Sequence, residues 1–254
     1  MFKISDIVYK KDNENVLFKI KEITSEQITL VGYSTRNIVK VNKEDIVAAT
    51  PEQINRVDTK ELESYQKIIV NNKNRLKKSV MYGRILHIDG DNEFLNSCLK
   101  LYKELNIYAY GLNLGEKDIY KEIEKIYLEI TPEIVVITGH DQYNGEGLKD
   151  LNNYENTSYF MKAVRIVRRI NPLAVIIAGA CASNYEALIA SGANFASSPK
   201  RVNTHTYDPA IAAIKASTTP FDRKIDYNSI VKYIETGKDA LGGIETYGTM
   251  KLIF

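Results

Sequence analysis

The sequence predicts an α/β fold, in which a parallel β-sheet flanked by helices follows a small β-barrel. Residues 134–137 and 173–177 are apolar, β-branched runs too short for helices, as is typical of buried parallel strands. A helical pattern at 157–170 connects them, and strand–helix–strand units are right-handed and usually place their strands side by side. Residues 1–50 instead contain short alternating segments separated by polar turns.

The N-terminal fifty residues favour an SH3-like barrel, because small barrels are built from short strands joined by tight polar turns. The predicted strands are 6–9, 16–23, 27–31, 38–41 and 46–48. Residues 51–81 are polar with a weak helical pattern of apolar positions, so we predict a partly helical linker. The pattern consists of Leu62, Tyr65, Ile68 and Ile69.

From residue 82 to residue 254, predicted strands alternate with predicted helices, which indicates a second domain of α/β type. The strands are 84–88, 107–112, 134–138, 173–179, 193–197 and a final one at 248–254. The helices, whose apolar residues recur on one face, are 92–105, 116–130, 157–170, 183–191, 208–216 and 227–236. Ser183 and Glu186 form a capping box, and Gly192 supplies a stop signal. Gly242-Gly243 is predicted to be a tight turn.

The composition excludes several classes of protein. At 44% hydrophobic and 26% charged residues, the chain resembles an ordinary globular protein, and its net charge of +2 does not favour nucleic acid as a partner. No apolar run approaches the ~18 residues of a membrane span, and no signal peptide is apparent. Two cysteines do not make a disulfide framework or a zinc knuckle. We therefore expect a cytoplasmic protein without a metal or other cofactor.

Two reactive side chains follow the central predicted strands. His140 ends the run Thr138-Gly139-His140, and Cys181 ends the run Ala178-Gly179-Ala180-Cys181. Open α/β sheets bind ligands at the carboxyl ends of their strands, so a thiol and an imidazole are expected to meet there. The helix predicted after Cys181 is expected to lower the pKa of its thiol. This arrangement suggests a cysteine hydrolase.

The roles follow from the chemistry of such a site. Cys181 is the expected nucleophile, and His140 is the expected general base, which also protonates the leaving amine. The backbone N–H groups of Cys181 and Asp141 lie where the strands open and are the expected oxyanion hole.

Five further side chains could take part. Cys98 lies on an apolar helix face and His87 within a strand, so both are expected to pack in the core, whereas His205, in an irregular loop, is a weaker alternative base. Asp89 and Asp91 follow the first strand of the second domain and could bind a metal or a cationic substrate side chain. Asp91 is better explained as a helix cap.

Two other functions stay open at this point. Asp89 and Asp91 could hold Mg²⁺ in a phosphoryl-transfer or receiver-like domain, provided that a third ligand lies nearby. Alternatively, the barrel at 1–50 is a docking module and the remainder is a non-catalytic scaffold.

The order of the motifs resembles that of the caspase-like cysteine peptidases, in which the histidine lies about 50 residues before the cysteine. Here the interval is 41 residues. Longer strings resemble the YabG family of sporulation-specific proteases over essentially the whole chain. These strings are Leu86-His87-Ile88-Asp89-Gly90-Asp91, Val136-Ile137-Thr138-Gly139-His140-Asp141, Ala178-Gly179-Ala180-Cys181, Gly192-Ala193-Asn194-Phe195-Ala196-Ser197-Ser198-Pro199 and Leu241-Gly242-Gly243-Ile244-Glu245-Thr246.

The resemblance implies a caspase-like cysteine endopeptidase that processes spore coat and cortex-associated proteins by cutting after arginine. It places this activity in the mother cell or at the forespore surface, and it puts His140 and Cys181 on the catalytic dyad. Caspase-like enzymes commonly have glycine where this chain has Asp141, and arginine-specific relatives often have an acid where it has Gly179. Asp89 and Asp141 are therefore the candidate carboxylates for a substrate arginine at P1, the position before the cleaved bond.

Self-cleavage is a further expectation of the same resemblance. Arg56, Arg75 and Arg84 lie in or next to the predicted linker, between the two predicted domains. We expect new N-termini directly after these arginines.

Overall fold

The computed structural model describes residues 2–73 and 80–253. Its N-terminal part is a five-stranded antiparallel sheet in the order β4-β3-β2-β1-β5. The strands are β1 (Ile7–Lys10), β2 (Asn13–Ile23), β3 (Ile28–Gly32), β4 (Ile38–Val41) and β5 (Ile46–Ala48). All five were predicted, because alternating side chains bury one face of each strand. The buried residues are Val8, Phe18, Ile20, Ile28, Leu30, Val41 and Ile46.

A helix of 23 residues, α1 (Pro51–Lys73), follows this sheet. It is longer and more regular than the predicted partly helical linker. Thr50 and Gln53 exchange hydrogen bonds in a capping box at its start, a signal that the weak apolar pattern concealed. The short strand β6 (Val80–Met81) pairs with the C-terminal strand β13 (Lys251–Leu252), which is shorter than the strand predicted at 248–254.

The second sheet has six strands in the order β12-β11-β10-β9-β7-β8. They are β7 (Ile85–Asp89), β8 (Ala109–Asn113), β9 (Ile134–Thr138), β10 (Val175–Ala178), β11 (Phe195–Ser197) and β12 (Leu241–Gly243). All pairs are parallel except β11 with β12. The predicted tight turn at Gly242-Gly243 is therefore wrong, because both glycines pair with β11 as an edge strand.

Helices cover both faces of this sheet. They are α2 (Asn92–Glu104), α3 (Glu116–Ile130), α4 (Thr157–Ile170), α5 (Tyr185–Ala190), α6 (Asp208–Thr218) and α7 (Asn228–Val231), with 3₁₀ turns at Lys43–Asp45, Leu151–Asn153 and Gly237–Asp239. One core joins α3 and α4 to the sheet, and a second core joins α2 and α6 to its other face. The helices α3 and α4 have the predicted bounds, whereas α7 covers only part of the helix predicted at 227–236.

The helix after Cys181 begins later than predicted. Its cap is Asn184, whose side chain accepts a hydrogen bond from the N–H of Ala187, so the predicted capping box of Ser183 and Glu186 is wrong. The Ser183 hydroxyl instead donates to Asp141 at 2.8 Å. Cys181 therefore lies in the turn ahead of the cap rather than against the first turn of α5.

The prediction that β9 and β10 are neighbours is confirmed, since Ile137 pairs with Ala178 in parallel register. The α/β class is also confirmed, whereas the caspase-like and SH3-like assignments stay predictions. In the described ranges, no helix has the length and apolarity to cross a membrane.

Candidate active site

Four of the predicted site residues lie at one edge of the parallel sheet. Asp89 is the last residue of β7, and Asp91 follows two positions later. His140 follows β9, and Cys181 follows β10. Because β7, β9 and β10 are adjacent and parallel, their carboxyl ends open at the same place.

Cys181 sits in a sharply bent turn. Gly179 has a φ of +102° and Ala182 a φ of +57°, and the latter is a left-handed conformation that costs a non-glycine residue about 1–2 kcal/mol. The Cys181 side chain is 2% exposed. Its Sγ accepts a hydrogen bond from the N–H of Thr204 at 3.1 Å and lies 3.4 Å from the Thr204 hydroxyl.

Burial raises the pKa of the Cys181 thiol to about 11, although the hydrogen bonds from Thr204 and the nearby charge of Arg36 oppose this effect. The expected lowering by a helix N-terminus is wrong for this conformation, because α5 starts too far along the chain. Cys98 is also buried, and burial raises the pKa of its thiol to about 12. Its Sγ donates to the carbonyl of Thr206, which agrees with the predicted packing role.

Both ring nitrogens of His140 face acceptors. Nδ1 lies 3.0 Å from the carbonyl oxygen of Arg36, and Nε2 lies 3.2 Å from Oδ2 of Asp91. Each contact is a hydrogen bond when the ring nitrogen that faces the oxygen carries a proton. The His140 ring packs edge-to-face with the ring of Phe94. The backbone N–H of His140 donates to Oε1 of Glu116 at 2.8 Å.

Asp91 serves as a helix cap and as a partner of this ring. Its Oδ1 accepts from the N–H groups of Glu93 and Phe94, which confirms the predicted cap of α2. Burial would raise the pKa of Asp91, but the hydrogen bonds from His140 and from the backbone outweigh it and lower that pKa.

No hydrogen bond joins the His140 ring to the Cys181 sulfur within the described part of the chain. Two other residues lie between them. Arg36 contacts His140 through its carbonyl, and its N–H donates to the carbonyl of Thr204 at 3.0 Å. Thr204 in turn contacts the sulfur. An extended segment from the N-terminal sheet therefore bridges the two expected catalytic groups.

Asp89 already has an arginine partner. It is fully buried, and its Oδ2 lies 2.5 Å from Nη1 of Arg36, which is also fully buried. Burial would raise the pKa of Asp89, but the Arg36 guanidinium outweighs it and holds the pKa well below its usual range. The Thr138 hydroxyl also donates a hydrogen bond to Asp89, and the same hydroxyl accepts one from the His87 ring. Burial lowers the pKa of His87, so this packed ring is neutral.

The Asp141 carboxylate organises the loops around the site. It accepts from the N–H groups of Gln142 and Asn156 and from the hydroxyls of Thr157 and Ser183. Burial raises the pKa of Asp141, and these hydrogen bonds oppose the shift. The carboxylate is thus fully engaged with its own chain.

The backbone N–H groups of Asp141 and Cys181 behave differently from that carboxylate. Neither has a hydrogen-bond acceptor among residues 2–73 and 80–253. Two unengaged N–H groups at the ends of adjacent strands are what an oxyanion hole requires.

Replacing Asp141 by alanine should reduce the free energy of unfolding by about 3 kcal/mol or more, since three buried donors and the part-buried N–H of Gln142 lose their shared acceptor. Denaturant unfolding of the purified variant measures the change. Asp150→Ala is the control, because Asp150 caps only the exposed 3₁₀ turn at Leu151–Asn153, and a loss of about 1 kcal/mol is expected there. Equal losses in the two variants would contradict this account of Asp141.

The remaining candidates lie apart from this cluster or are already paired. His205 forms a close hydrogen bond with Glu61 of α1. Burial would lower the pKa of His205, but Glu61 outweighs it and raises that pKa. The described ranges contain no group of three or more acidic, histidine or cysteine side chains that could hold a metal. Asp89 and Asp91 therefore have no third partner of the kind that the Mg²⁺ hypothesis needs.

Three residues of the site were missed by the sequence analysis. Arg36 comes from the predicted barrel, Glu116 from the start of α3, and Thr204 from an irregular segment. No local pattern marks any of them, because their importance arises from contacts between distant segments.

The fold and the strand-end cluster define an α/β protein with its polar site where such sheets bind substrates. The family model of YabG peptidase U57 matches residues 3–254, so the chain belongs to that family of peptidases. A similar curated protein is the "Sporulation-specific protease YabG" of Bacillus subtilis (strain 168), with 34% identity over 281 residues, covering 99% of this chain and 97% of the relative. No solved structure matches the chain. Family membership supports a protease over a phosphoryl-transfer domain or a docking scaffold.

Proposed function

We propose that this protein is a sporulation-specific cysteine endopeptidase that cleaves after arginine, with Cys181 as nucleophile and His140 as general base. The observation that carries the proposal is that both side chains follow adjacent parallel strands and are linked through two hydrogen-bonded residues. The His140 ring contacts the carbonyl of Arg36, the Cys181 sulfur contacts Thr204, and the Arg36 N–H donates to the Thr204 carbonyl. The proposal extends the peptidase family assignment to a mechanism.

The steps of the reaction follow from the site. A neutral His140 removes the thiol proton, and the Cys181 sulfur attacks the carbonyl carbon of the substrate arginine. The N–H groups of Cys181 and Asp141 stabilise the oxyanion. The protonated ring then gives its proton to the leaving amine, and water hydrolyses the thioester.

The resting arrangement must change before this reaction. The Cys181 sulfur accepts a hydrogen bond from the N–H of Thr204. The His140 ring lies within hydrogen-bond distance of the Arg36 carbonyl and of the Asp91 carboxylate. Movement of the Arg36 segment would free Nδ1 of His140 and remove the N–H that binds the Thr204 carbonyl, so that Thr204 can move away from the sulfur. Catalysis therefore depends on displacement of that segment.

The proposed substrates are spore coat and cortex-associated proteins, and the proposed place of action is the mother cell or the forespore surface. The name of the Bacillus subtilis relative supports a role in sporulation. The YabG family match supports proteins as substrates.

Self-cleavage after arginine is part of the proposal. Arg56 is exposed but lies within α1, so cutting there requires local unwinding. Arg84 is partly buried and forms a hydrogen-bonded ion pair with Glu133. Arg75 lies outside the described residues.

An arginyl chloromethyl ketone tests the proposed nucleophile and the specificity together. We expect complete inactivation with one adduct on Cys181, mapped by mass spectrometry, and slower inactivation by the lysyl analogue, because lysine lacks a bidentate guanidinium. Cys98 is the internal control and should stay unlabelled, since it lies within α2 rather than at a strand end and its sulfur packs against the carbonyl of Thr206. A chelator should leave activity intact. An adduct on Cys98 alone, or loss of activity with the chelator, would contradict the proposal.

A further inference from the structure

Arg36 is presented to the site by a tight turn between β3 and β4. The N–H of Gly32 donates to the carbonyl of Asn37 at 2.8 Å and closes the turn. A Cβ on Gly32 would lie 2.1 Å from Asn37 Oδ1 and 2.2 Å from the Thr35 carbonyl, so only glycine allows this closure. The turn thus holds Arg36 at its tip in a defined orientation.

The backbone beside Arg36 pairs with residues 204–206 of the second domain through one isolated antiparallel bridge and two hydrogen bonds. Thr35 forms an antiparallel bridge with His205. The N–H of Arg36 donates to the carbonyl of Thr204, and the N–H of Thr206 donates to the carbonyl of Ser34. Proteins commonly bind extended peptides in this way, with the main chain paired and alternate side chains directed into pockets.

The Arg36 side chain fills a pocket suited to a guanidinium. Nη1 contacts Asp89 at 2.5 Å, and Nε and Nη2 donate to the carbonyl of Thr206 at 3.3 and 3.1 Å. The group also lies 5.1 Å from the centre of the Phe94 ring. A carboxylate, a carbonyl and an aromatic face match the planar donors and the charge of arginine.

The carbonyl of Arg36 lies at the expected reacting groups. It contacts Nδ1 of His140. The segment 204–206, which pairs with residues 34–36, includes Thr204, and the Thr204 N–H donates to the Cys181 sulfur. A buried ion pair between domains would need only the Arg36–Asp89 contact. The backbone pairing and the filled guanidinium pocket reproduce two features of a bound arginyl substrate. The Arg36 carbonyl contacts His140 and does not contact the N–H groups of Cys181 and Asp141, so the segment is held in a position that does not lead to cleavage.

The geometry points to Arg36 as an intramolecular occupant of the arginine subsite, with Asp89 as its recognition carboxylate, so that the resting protein excludes substrates. This inference rests on the proposed cleavage after arginine and adds the residue that selects arginine and the segment that blocks the site.

The first arm of the test measures cleavage of a fluorogenic peptide with arginine before the reporter. Arg36→Ala should raise kcat/KM by about tenfold or more, the gain expected when the open form is ~10% or less of the resting population. Lys19→Met is the matched control, because Lys19 also links the N-terminal sheet to α2, through Glu93 at 2.7 Å, but lies outside the cleft. Its activity should stay at the wild-type level.

The second arm measures binding without catalysis. Arginine amide should raise the Tm of the Arg36→Ala protein but not that of the wild type, and citrulline amide, which lacks the charge, should have no effect. The double variant Arg36→Ala/Asp89→Asn should lose the response. Such Asp89-dependent binding supports the inference even if no variant cleaves peptides, in which case the protease mechanism alone fails.

Other outcomes would overturn the inference. Cleavage that depends on Cys181 but is not raised by Arg36→Ala, together with no binding of arginine amide, would remove Arg36 and Asp89 from the substrate site and leave the proposed function standing. If Arg36→Ala does not fold, Arg36→Gln retains most of the side-chain volume and an N–H donor and should show the same gains. If neither variant folds, even with arginine amide present, the pair is a structural contact and the inference fails.

Discussion

Replacing Cys181 by alanine is expected to reduce kcat/KM for an arginyl peptide by about 10⁴-fold or more, because loss of a covalent nucleophile removes the main route to products. The fold should persist, since alanine occupies less space in the turn after β10. Steady-state kinetics with a thermal unfolding profile of the same sample measures both quantities.

Cys98→Ala provides the matched control for this prediction. Both cysteines are buried, and both have a thiol pKa raised by burial, but Cys98 lies on α2 with its sulfur against the carbonyl of Thr206. Its sulfur also lies 3.8 Å from Nη2 of Arg36 in the guanidinium pocket, so we expect a loss of kcat/KM of about tenfold or less, without loss of the covalent step. Full activity in the Cys181 variant, or equal losses in the two variants, would refute the assignment of the nucleophile.

Replacing His140 by asparagine is expected to lower kcat by about 10²–10⁴-fold, the usual contribution of a general base. Asparagine retains a donor for the carbonyl of Arg36, so the contact to the N-terminal sheet is disturbed less than with alanine. The measurement is kcat under saturating substrate, because the ring is proposed to act in the chemical step rather than in binding.

His205→Gln is the comparison for His140, since His205 is the other histidine that the sequence offers as a base. Its ring is hydrogen-bonded to Glu61 of α1 and contacts the ring of Tyr207. Loss of activity is expected to stay below about tenfold. A larger loss at His205 than at His140 would transfer the role of base to His205.

The sheet of the second domain was predictable because its strands are short apolar runs and its main helices have a regular apolar face. The bounds of α3 and α4 and the adjacency of β9 and β10 follow from these local patterns. The start of α5 was not predictable from the sequence, because Ser183 and Asn184 are both good N-cap residues. The Ser183 hydroxyl donates instead to Asp141, which lies in a different loop.

The pKa values and the hydrogen-bond partners of the predicted site residues also could not be predicted from the sequence. The pKa of the Cys181 thiol is raised rather than lowered, because burial depends on Thr204 and the N-terminal sheet rather than on the local turn. The carboxylates of Asp89 and Asp141 were predicted from position, but their partners come from segments remote in the chain.

The sequence by itself determined the class of fold, the strand ends at which a thiol and an imidazole emerge, and the resemblance to a peptidase family, since each depends on residues close together in the chain. Only the tertiary structure decided that Arg36 of the first sheet occupies the cleft, pairs with Asp89 and touches His140. These contacts join residues 53 and 104 positions apart. Contacts over such separations depend on how the two sheets pack, which no local pattern of side chains encodes.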